Sequence, residues 1–212
     1  MMLRMTPTRV LLLRHGQTAW NREGRWQGQS GPTLNEVGQR QAAAAADRLA
    51  PEPIDAVYTS DLPRATETAD AIAERLAVVP IVEPGLREVD VGDWTGLSRE
   101  QVRDRHPDGF ERWLAGESGW NGGETYQEMH TRAVATVSRL VRLHPCGTIA
   151  AATHGGVIRA LTAHAVGLPG HDRRRIIGVE NCSLTVVETG IDGALSLVAF
   201  NDIGHLVALR TA

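Results

Sequence analysis

Short apolar runs alternate with amphipathic stretches along most of the chain. Continuous apolar runs such as "RVLLL" at 9–13 are typical of strands that are covered on both faces of a sheet. Stretches with apolar residues three and four apart predict helices. The predicted strands lie at 9–13, 54–60, 148–156, 183–190 and 194–201, with one short strand in the irregular segment 78–92.

The helices are predicted from this periodicity and from the residues that begin or end them. Pro63 falls in the first turn of one helix, and a short helix is expected between its N-cap Ser98 and Pro107. The other predicted helices lie at 34–50, 62–77, 123–145 and 157–168. On the helix at 34–50, the face expected to be buried consists of Val37, Gln41, Ala44, Ala45 and Leu49.

Strands that alternate with helices favour an α/β fold, a three-layer α/β/α sandwich with a mostly parallel central sheet. The two late strands are expected to be joined by a turn at 190–193. The length suits a single domain spanning residues 1–212. A Gly-rich stretch with Trp113 and Trp120 predicts a lid-like segment around 98–124, with ordinary packing of the two tryptophans as the alternative.

Composition narrows the possible functions. The net charge of −3 gives no general support for a nucleic-acid partner, and no apolar run is long enough for a membrane span. The start of the chain lacks the features of a signal peptide, so a cytoplasmic protein is expected. Cys146 and Cys182 form no pattern typical of a disulfide framework or a zinc site.

The chain contains no lysine, because all 22 basic residues are arginine. Lysine-dependent chemistry, such as a Schiff base or a P-loop, is therefore excluded. Any anion site must use arginine, histidine or backbone amides.

Polar side chains follow several of the predicted strands at their carboxyl ends, where ligands bind in parallel sheets. Arg14 and His15 come directly after the first strand, and His154 follows the strand at 148–156. Arg64 lies near the start of the helix after the strand at 54–60, where the helix dipole also favours an anion. Each residue alone has an ordinary explanation as a surface or capping side chain. Together they predict an anion site with a neutral imidazole as a possible nucleophile.

A carboxylate cluster in "LREVDVGDWTG" offers a proton donor. Glu88 and Asp90 would face the same way in an extended segment, and Asp93 follows. Cleavage of a phosphomonoester needs an acid that protonates the leaving oxygen, and a carboxyl group beside a dianion retains its proton more readily. A solvated loop is the alternative. Metal binding by the two histidines is disfavoured, because no third ligand stands at suitable spacing.

These motifs resemble those of the histidine phosphatase superfamily, in its phosphoglycerate mutase-like branch. The matching stretches are "LLLRHGQTAWN", "GQSGPTLNEVGQRQA", "YTSDLPRATETA", "LREVDVGDWTG", "GGETYQEM" and "ATHGG". They occur in the family's order, and with the later "NCSLTVVE" and "FNDIGHL" the resemblance covers nearly the whole chain.

The resemblance implies roles for individual residues. His15 resembles the nucleophile that forms a phosphohistidine, and Glu88 resembles the general acid and base. Arg14, Arg64 and His154 resemble the pocket for the phosphoryl group, with His154 as a catalytic residue. Additional substrate contacts are implied for Asn21, Gln27 and Gly155.

The implied activity is a metal-independent phosphomonoesterase that acts on small phosphorylated metabolites, with no cofactor and no metal. Cofactor-dependent phosphoglycerate mutases carry an extra basic insertion after the acid, which this chain lacks, so the small phosphatases are the better match. A mutase and a non-catalytic phospho-ligand-binding protein stay open as alternatives. The expected partner is a small phosphate ester, with neither nucleic acid nor membrane, and a homodimer is favoured over a monomer. The basic run 171–175 is expected to be a solvated loop, and His205 lies either at the site mouth or on the surface.

Overall fold

The fold is built on one twisted sheet, as seen in a computed structural model that describes residues 7–169, 175–189 and 193–210. The sheet has the strand order β3-β2-β4-β1-β5-β6. Strands β1, β2, β3 and β4 run parallel, whereas β5 pairs antiparallel with both β1 and β6. The strands are β1 Arg9–Arg14, β2 Ala56–Thr59, β3 Ile81–Val82, β4 Thr148–Thr153, β5 Leu184–Thr189 and β6 Leu195–Asp202.

The predicted helices fall close to their expected ranges, and the described residues contain three further helices that were not predicted, at 19–22, 107–115 and 207–210. Pro63 and Ser98 take the predicted positions at helix starts, Pro63 inside the first turn and Ser98 as an N-cap. The helices are α1 Ala19–Arg22, α2 Glu36–Leu49, α3 Pro63–Leu76, α4 Arg99–Arg105, α5 Pro107–Ala115, α6 Tyr126–Leu143, α7 Gly155–Ala165 and α8 Val207–Arg210. Short 3-10 helices occur at Pro84–Leu86, Gly92–Trp94 and Gly204–Leu206.

Strand β1 shows why the molecule has three layers. Val10 and Leu12 point into the core beneath α6 and α7, whereas Leu11 and Leu13 point into the core beneath α2 and α3. A strand with apolar residues on both faces has to be covered by helices on both sides. The predicted α/β/α sandwich with a mostly parallel sheet is therefore confirmed.

The predicted buried face of α2 is wrong by about one residue. The buried positions are Gly38, Ala42, Ala45, Ala46 and Leu49. Gly38 is the cause, because a Cβ there would stand 2.1 Å from the carbonyl oxygen of Gln17. The helix therefore turns Gly38, its smallest residue, toward the loop after β1. The spacing of apolar residues in the sequence does not reveal that contact.

The segment at 98–124 contains α4 and α5 and is packed through tryptophans. The ring of Trp26 lies 5.1 Å from that of Trp94, 5.3 Å from that of Trp113 and 6.2 Å from that of Trp120, measured between centroids. Trp113 and Trp120 therefore pack against the body of the molecule, and a lid-like role for the segment stays a prediction.

Some predictions lie outside the described residues, namely most of the turn at 190–193 and most of the basic run 171–175. Within the described part of the chain, no helix is long and apolar enough to cross a membrane.

Candidate active site

Two histidines meet where β1 and β4 end. The strands are parallel neighbours, and Arg14 pairs with Thr153 at their last positions. His15 and His154 follow directly, and their ring centroids lie 5.2 Å apart. Both side chains are buried. The register of one strand pair thus brings together residues that are 139 positions apart (154 minus 15).

The imidazole of His15 is held in one orientation by a hydrogen bond at each of its two ring nitrogens. Nδ1 lies 2.7 Å from the carbonyl oxygen of Gly16, and since a carbonyl only accepts, Nδ1 carries the proton. Nε2 accepts a hydrogen bond from Nε of Arg64 at 3.2 Å. Burial, helped by the charges of Arg64 and Arg14, holds the pKa of His15 well below its usual value of 6.5. The ring is therefore neutral, with the lone pair of Nε2 directed at a cation.

Arg64 is fixed at the start of α3, in the turn that Pro63 opens. It is 1% exposed, and it donates to the carbonyl oxygens of Ser30 and Gly28 at 2.7 Å each. Burial lowers its pKa to about 10, against the opposing effect of Glu88. It is a cation at neutral pH, and its guanidinium plane is set by backbone carbonyls.

Arg14 is anchored on the opposite side of the site. One of its terminal nitrogens donates to the carbonyl of Val179 at 2.5 Å. Its Nε is buried and has no hydrogen-bond partner among the described residues. Burial lowers the pKa of Arg14, Glu88 raises it, and the charge of Arg159 lowers it again. A buried donor without a partner is costly, so an anion would complete this site.

His154 is held through the other nitrogen of its ring. Nε2 lies 2.7 Å from the hydroxyl oxygen of Ser60, and Nδ1 is buried without a partner in the part of the chain that is described. Burial, followed by the positive charge of Arg64, keeps the pKa of His154 well below 6.5. The residue is also the N-cap of α7, although its side chain makes no cap hydrogen bond.

Glu88 is held by two backbone amides. Its Oε1 accepts from its neighbour Val89 at 2.9 Å, and its Oε2 accepts from Gly156 in the first turn of α7 at 3.0 Å. The expectation that Asp90 shares its direction is wrong, because Asp90 accepts from the amide of Gly92 where the chain turns into a 3-10 helix. Asp93 instead binds Asn121. Of the three acidic residues, only Glu88 lines the cleft.

Asn21 and Gln27 both line the cleft and are joined by Thr18. The Thr18 hydroxyl lies 3.2 Å from Oδ1 of Asn21 and 3.1 Å from Oε1 of Gln27. Asn181 also donates to Asn21 at 3.1 Å and to the carbonyl of His15 at 2.9 Å. These amides therefore support the loop that carries His15.

Most of the predicted residues surround one cleft, with three exceptions. His154 is fully buried beside His15 and is not among the residues that line the cleft. Gly155 packs beside Arg14, and the cleft wall is formed by its neighbour Gly156. His205 lies away from the cleft, where its Nε2 is 3.0 Å from the carbonyl of Cys182. The cleft is lined by Arg14, His15, Asn21, Gly24, Arg25, Trp26, Gln27, Gly28, Arg64, Glu88, Val89, Val91, Tyr126, Gly156 and Arg159.

Sequence reasoning missed several contributors. Ser60 belongs to the quoted stretch "YTSDLPR", and Gly156 belongs to "ATHGG", so a signal for both was present. Asn181 opens the quoted stretch "NCSLTVVE", so a signal was present for it as well. Arg159 belongs to none of the quoted stretches and lines the cleft only through the fold. Within the described ranges, no three His, Cys, Asp or Glu side chains are grouped in a way that could hold a metal ion.

Comparisons with known proteins show the family of the chain. The sequence model of the histidine phosphatase superfamily (branch 1) matches residues 10–203. A bifunctional protein of Mycobacterium tuberculosis is 37% identical over 205 residues, which are 96% of this chain and 56% of that protein. The chain thus spans about half the length of that relative.

Two further relatives carry specific names. The metal-independent phosphoserine phosphatase of Arabidopsis thaliana is 37% identical over 160 residues, covering 73% of this chain and 67% of that protein. The structure of a mycobacterial glucosyl-3-phosphoglycerate phosphatase complexed with VO3 superimposes with a TM-score of 0.82 at 33% identity, covering 91% of this chain and 98% of that one. The chain belongs to the histidine phosphatase superfamily, as its motifs predicted.

Proposed function

We propose that this protein is a phosphomonoesterase that hydrolyses small phosphorylated metabolites through a phosphohistidine on Nε2 of His15. The observation that carries the proposal is the fixed, neutral ring of His15, whose Nε2 meets a buried arginine in an open cleft. Relatives named as phosphatases of small metabolites support the substrate class. The activity is expected to need neither metal nor cofactor.

The first step transfers the phosphoryl group to the enzyme. The lone pair of Nε2 attacks phosphorus in line with the ester oxygen, so a P–N bond forms while the P–O bond to the alcohol breaks. Glu88 enters this step protonated and gives its proton to the leaving oxygen. A substrate dianion favours that protonated form, because it repels a carboxylate beside it.

The second step returns the enzyme to its starting state. Glu88, now a carboxylate, takes a proton from a water molecule. The water oxygen attacks phosphorus, and the P–N bond breaks to release inorganic phosphate and restore the lone pair on Nε2. The amides of Val89 and Gly156 stabilise the carboxylate between the steps, because both donate hydrogen bonds to it.

The negative charge on the phosphoryl oxygens is stabilised by groups that are already in place. Arg14 and Arg64 supply two positive charges, held by carbonyl anchors. The Nδ1 of His154 supplies a neutral donor when Nε2 accepts from Ser60. Preorganised donors of this kind stabilise a transition state without rearrangement at the moment of reaction.

The test is phosphate release from p-nitrophenyl phosphate and a panel of metabolite phosphomonoesters, with EDTA present. Wild type should release phosphate and His15→Ala should not. His164→Ala is the matched control, because His164 is an exposed histidine on α7.

The possible outcomes separate the alternatives. Turnover that EDTA abolishes and a divalent cation restores would contradict the mechanism. Interconversion of phosphoglycerate isomers primed by a bisphosphoglycerate, without net phosphate release, would indicate a mutase. Binding of phosphate esters without either reaction would indicate a binding protein.

A further inference from the structure

The residue proposed as the acid lies in a segment that belongs to no strand and no helix. Glu88 stands between the 3-10 helices Pro84–Leu86 and Gly92–Trp94. Backbone carbonyls outside a sheet or a helix need hydrogen bonds from side chains or water. The direction in which Glu88 points therefore depends on the side chains that hold this backbone.

One side chain, that of Arg132 on α6, holds the backbone on the approach to Glu88. One of its terminal nitrogens donates to the carbonyl oxygens of Gly85 at 2.8 Å and of Arg87 at 2.9 Å. The other terminal nitrogen lies 3.5 Å from the carbonyl oxygen of Glu88 itself. Because the guanidinium group is planar and rigid, these contacts fix the carbonyls relative to one another.

Glu124 binds the rest of the guanidinium group of Arg132. Its carboxylate accepts from Nε at 2.8 Å and from a terminal nitrogen at 2.6 Å, and the side chains of Arg132 and Glu124 are 25% and 17% exposed. The backbone amide of Glu124 also donates to the carbonyl of Asp90 at 3.0 Å. The pair therefore holds the backbone both before and after Glu88, and its two-bond geometry fixes the orientation of the arginine.

Arg132 and Glu124 do not form part of the cleft surface. Neither is among the described residues that line the cleft. The five N–H groups of Arg132 are matched by five bonds to protein oxygens, so no donor is left for a phosphate ester. Any effect of Arg132 on the reaction has to pass through the residues that it holds.

On this basis we propose that Arg132, fixed by Glu124, is a positioning residue that directs the carboxyl group of Glu88 at the leaving oxygen. Arg132 sets the backbone from which the side chain extends, and the amide of Gly156 holds its carboxylate at 3.0 Å. This inference rests on the proposed function, because it takes Glu88 as the acid. Arg132 itself takes no part in proton or phosphoryl transfer.

The test compares two esters that differ in their need for an acid. The value of kcat/KM reports the steps up to departure of the alcohol, which needs a proton for glycerol 3-phosphate and none for p-nitrophenyl phosphate. We expect Arg132→Met to lower kcat/KM for glycerol 3-phosphate by roughly 10- to 100-fold, because the carboxyl group is no longer held in position. For p-nitrophenyl phosphate the change should be less than about threefold. The inhibition constant of inorganic phosphate should also stay within about threefold, since Arg132 does not line the cleft.

A double-mutant cycle tests whether Arg132 acts through Glu88. In a Glu88→Gln background, Arg132→Met should change kcat/KM for glycerol 3-phosphate by less than about threefold, because the group that it positions can no longer give a proton. Losses that multiply would mean that Arg132 supports the fold without positioning the acid, and they would overturn the proposal. Equal losses on the two esters in Arg132→Met alone would also overturn it.

Arg139→Met is the matched control. Arg139 lies about two turns further along α6 and pairs with the side chain of Glu83, just before the segment that carries Glu88. Both esters should be cleaved by this variant as by wild type. Arg132→Lys should recover part of the loss, since it keeps the charge without the fork. Thermal unfolding shows whether each variant is folded, and Arg132→Lys takes the place of Arg132→Met if the latter is not.

The amide proton resonance of Gly156 gives a measurement that needs no activity, because this amide donates to Glu88. In Arg132→Met the resonance should move upfield, toward its position in Glu88→Ala, and in Arg139→Met it should not move. If wild type hydrolyses no ester but this shift is present, the proposed reaction is wrong and the positioning by Arg132 stands. If hydrolysis occurs and the resonance stays in place in Arg132→Met, the positioning is wrong and the reaction stands.

Discussion

The ends of strands β1 and β4 carry the same residue type in similar sequence contexts, "RHG" and "THGG", yet the two histidines are held in opposite ways. His15 is anchored through Nδ1 on a backbone carbonyl and presents Nε2 to the cleft. His154 is anchored through Nε2 on the Ser60 hydroxyl, which leaves Nδ1 without a partner among the described residues. In the proposed reaction, the anchoring atom rather than the motif therefore decides which histidine acts as the nucleophile and which as a supporting donor.

The segments of chain that follow β1 and β4 also differ from each other. The strand at 9–14 leads through the segment 15–18 into the short helix α1, so His15 lies in a connecting segment. The strand at 148–153 leads directly into α7, which directs the amide of Gly156 at Glu88. In the proposed reaction, the end of β1 supplies the attacking atom, and the start of α7 after β4 holds Glu88, the proposed acid.

Replacement of the two histidines is expected to give the largest contrast. His15→Ala removes the attacking atom, and kcat should fall at least about 10⁴-fold. His154→Ala removes one donor to the phosphoryl group, and kcat should fall only about 10²- to 10³-fold. Steady-state kinetics with one alkyl phosphate measure both, with His164→Ala as the control. Equal losses would contradict the assignment of different roles.

Glu88→Gln should have the next largest effect, and the effect should depend on the leaving group. We expect a fall in kcat of about 10²- to 10⁴-fold for an alkyl phosphate, because an amide cannot protonate the departing alkoxide. The fall should be smaller for p-nitrophenyl phosphate, since nitrophenolate departs without a proton. Glu117→Gln, at an exposed position, is the control. A loss that is the same for both esters would mean that Glu88 does not act as the acid.

Two adjacent glycines allow a finer test of how the backbone after β4 holds Glu88. In Gly156→Ala the new Cβ would stand 2.1 Å from Oε1 of Glu88, so the carboxylate has to move. In Gly155→Ala the nearest atom is Nε of Arg14 at 3.5 Å, which is an ordinary contact. We expect Gly156→Ala to lose roughly 10- to 100-fold in kcat, as small displacements of catalytic groups do. Gly155→Ala should stay within about threefold, and thermal unfolding should show that both variants are folded. A greater loss in Gly155→Ala would refute this account of how Glu88 is held.

The smallest expected effect is on the pH dependence of stability. Burial lowers the pKa of both histidines in the folded state, whereas in the unfolded chain they titrate near 6.5. Below pH 6.5 the unfolded state therefore binds more protons, and stability should decrease as the pH falls through this window. Each histidine contributes a slope of up to about 1.4 kcal/mol per pH unit.

Denaturant unfolding between pH 5 and 7 measures this slope. His154→Ala should reduce it, and His164→Ala, at an exposed position, should not. An unchanged slope in His154→Ala would mean that this histidine is not held neutral in the folded protein.

Much of the fold and the centre of the site could be predicted from the sequence. Apolar runs and proline positions indicate the elements, and the rule that parallel strands present ligands at their carboxyl ends brings Arg14, His15 and His154 together. That rule cannot predict how side chains are held once they meet. Arg64 is held by the carbonyl oxygens of Gly28 and Ser30. Every residue type has such an oxygen, so the sequence does not indicate these contacts.

Other features depended on contacts between distant segments. The direction of Glu88 is set by an amide 68 positions away, whereas Asp90 is turned aside by a local 3-10 helix. The face of α2 was missed because the fit of Gly38 against Gln17 decides its rotation. In each case the deciding contact is made by backbone atoms, which are the same for every residue type.

The central claim is that Nε2 of His15 carries the phosphoryl group. The most direct measurement is rapid mixing with a phosphomonoester, followed by alkaline quenching and mass spectrometry of the peptides, since a phosphohistidine survives base and is lost in acid. We expect the mass of one phosphoryl group on the peptide that contains His15, in wild type and in His154→Ala, and its absence in His15→Ala. Phosphate on His154, or turnover by His15→Ala at the wild-type rate, would contradict it.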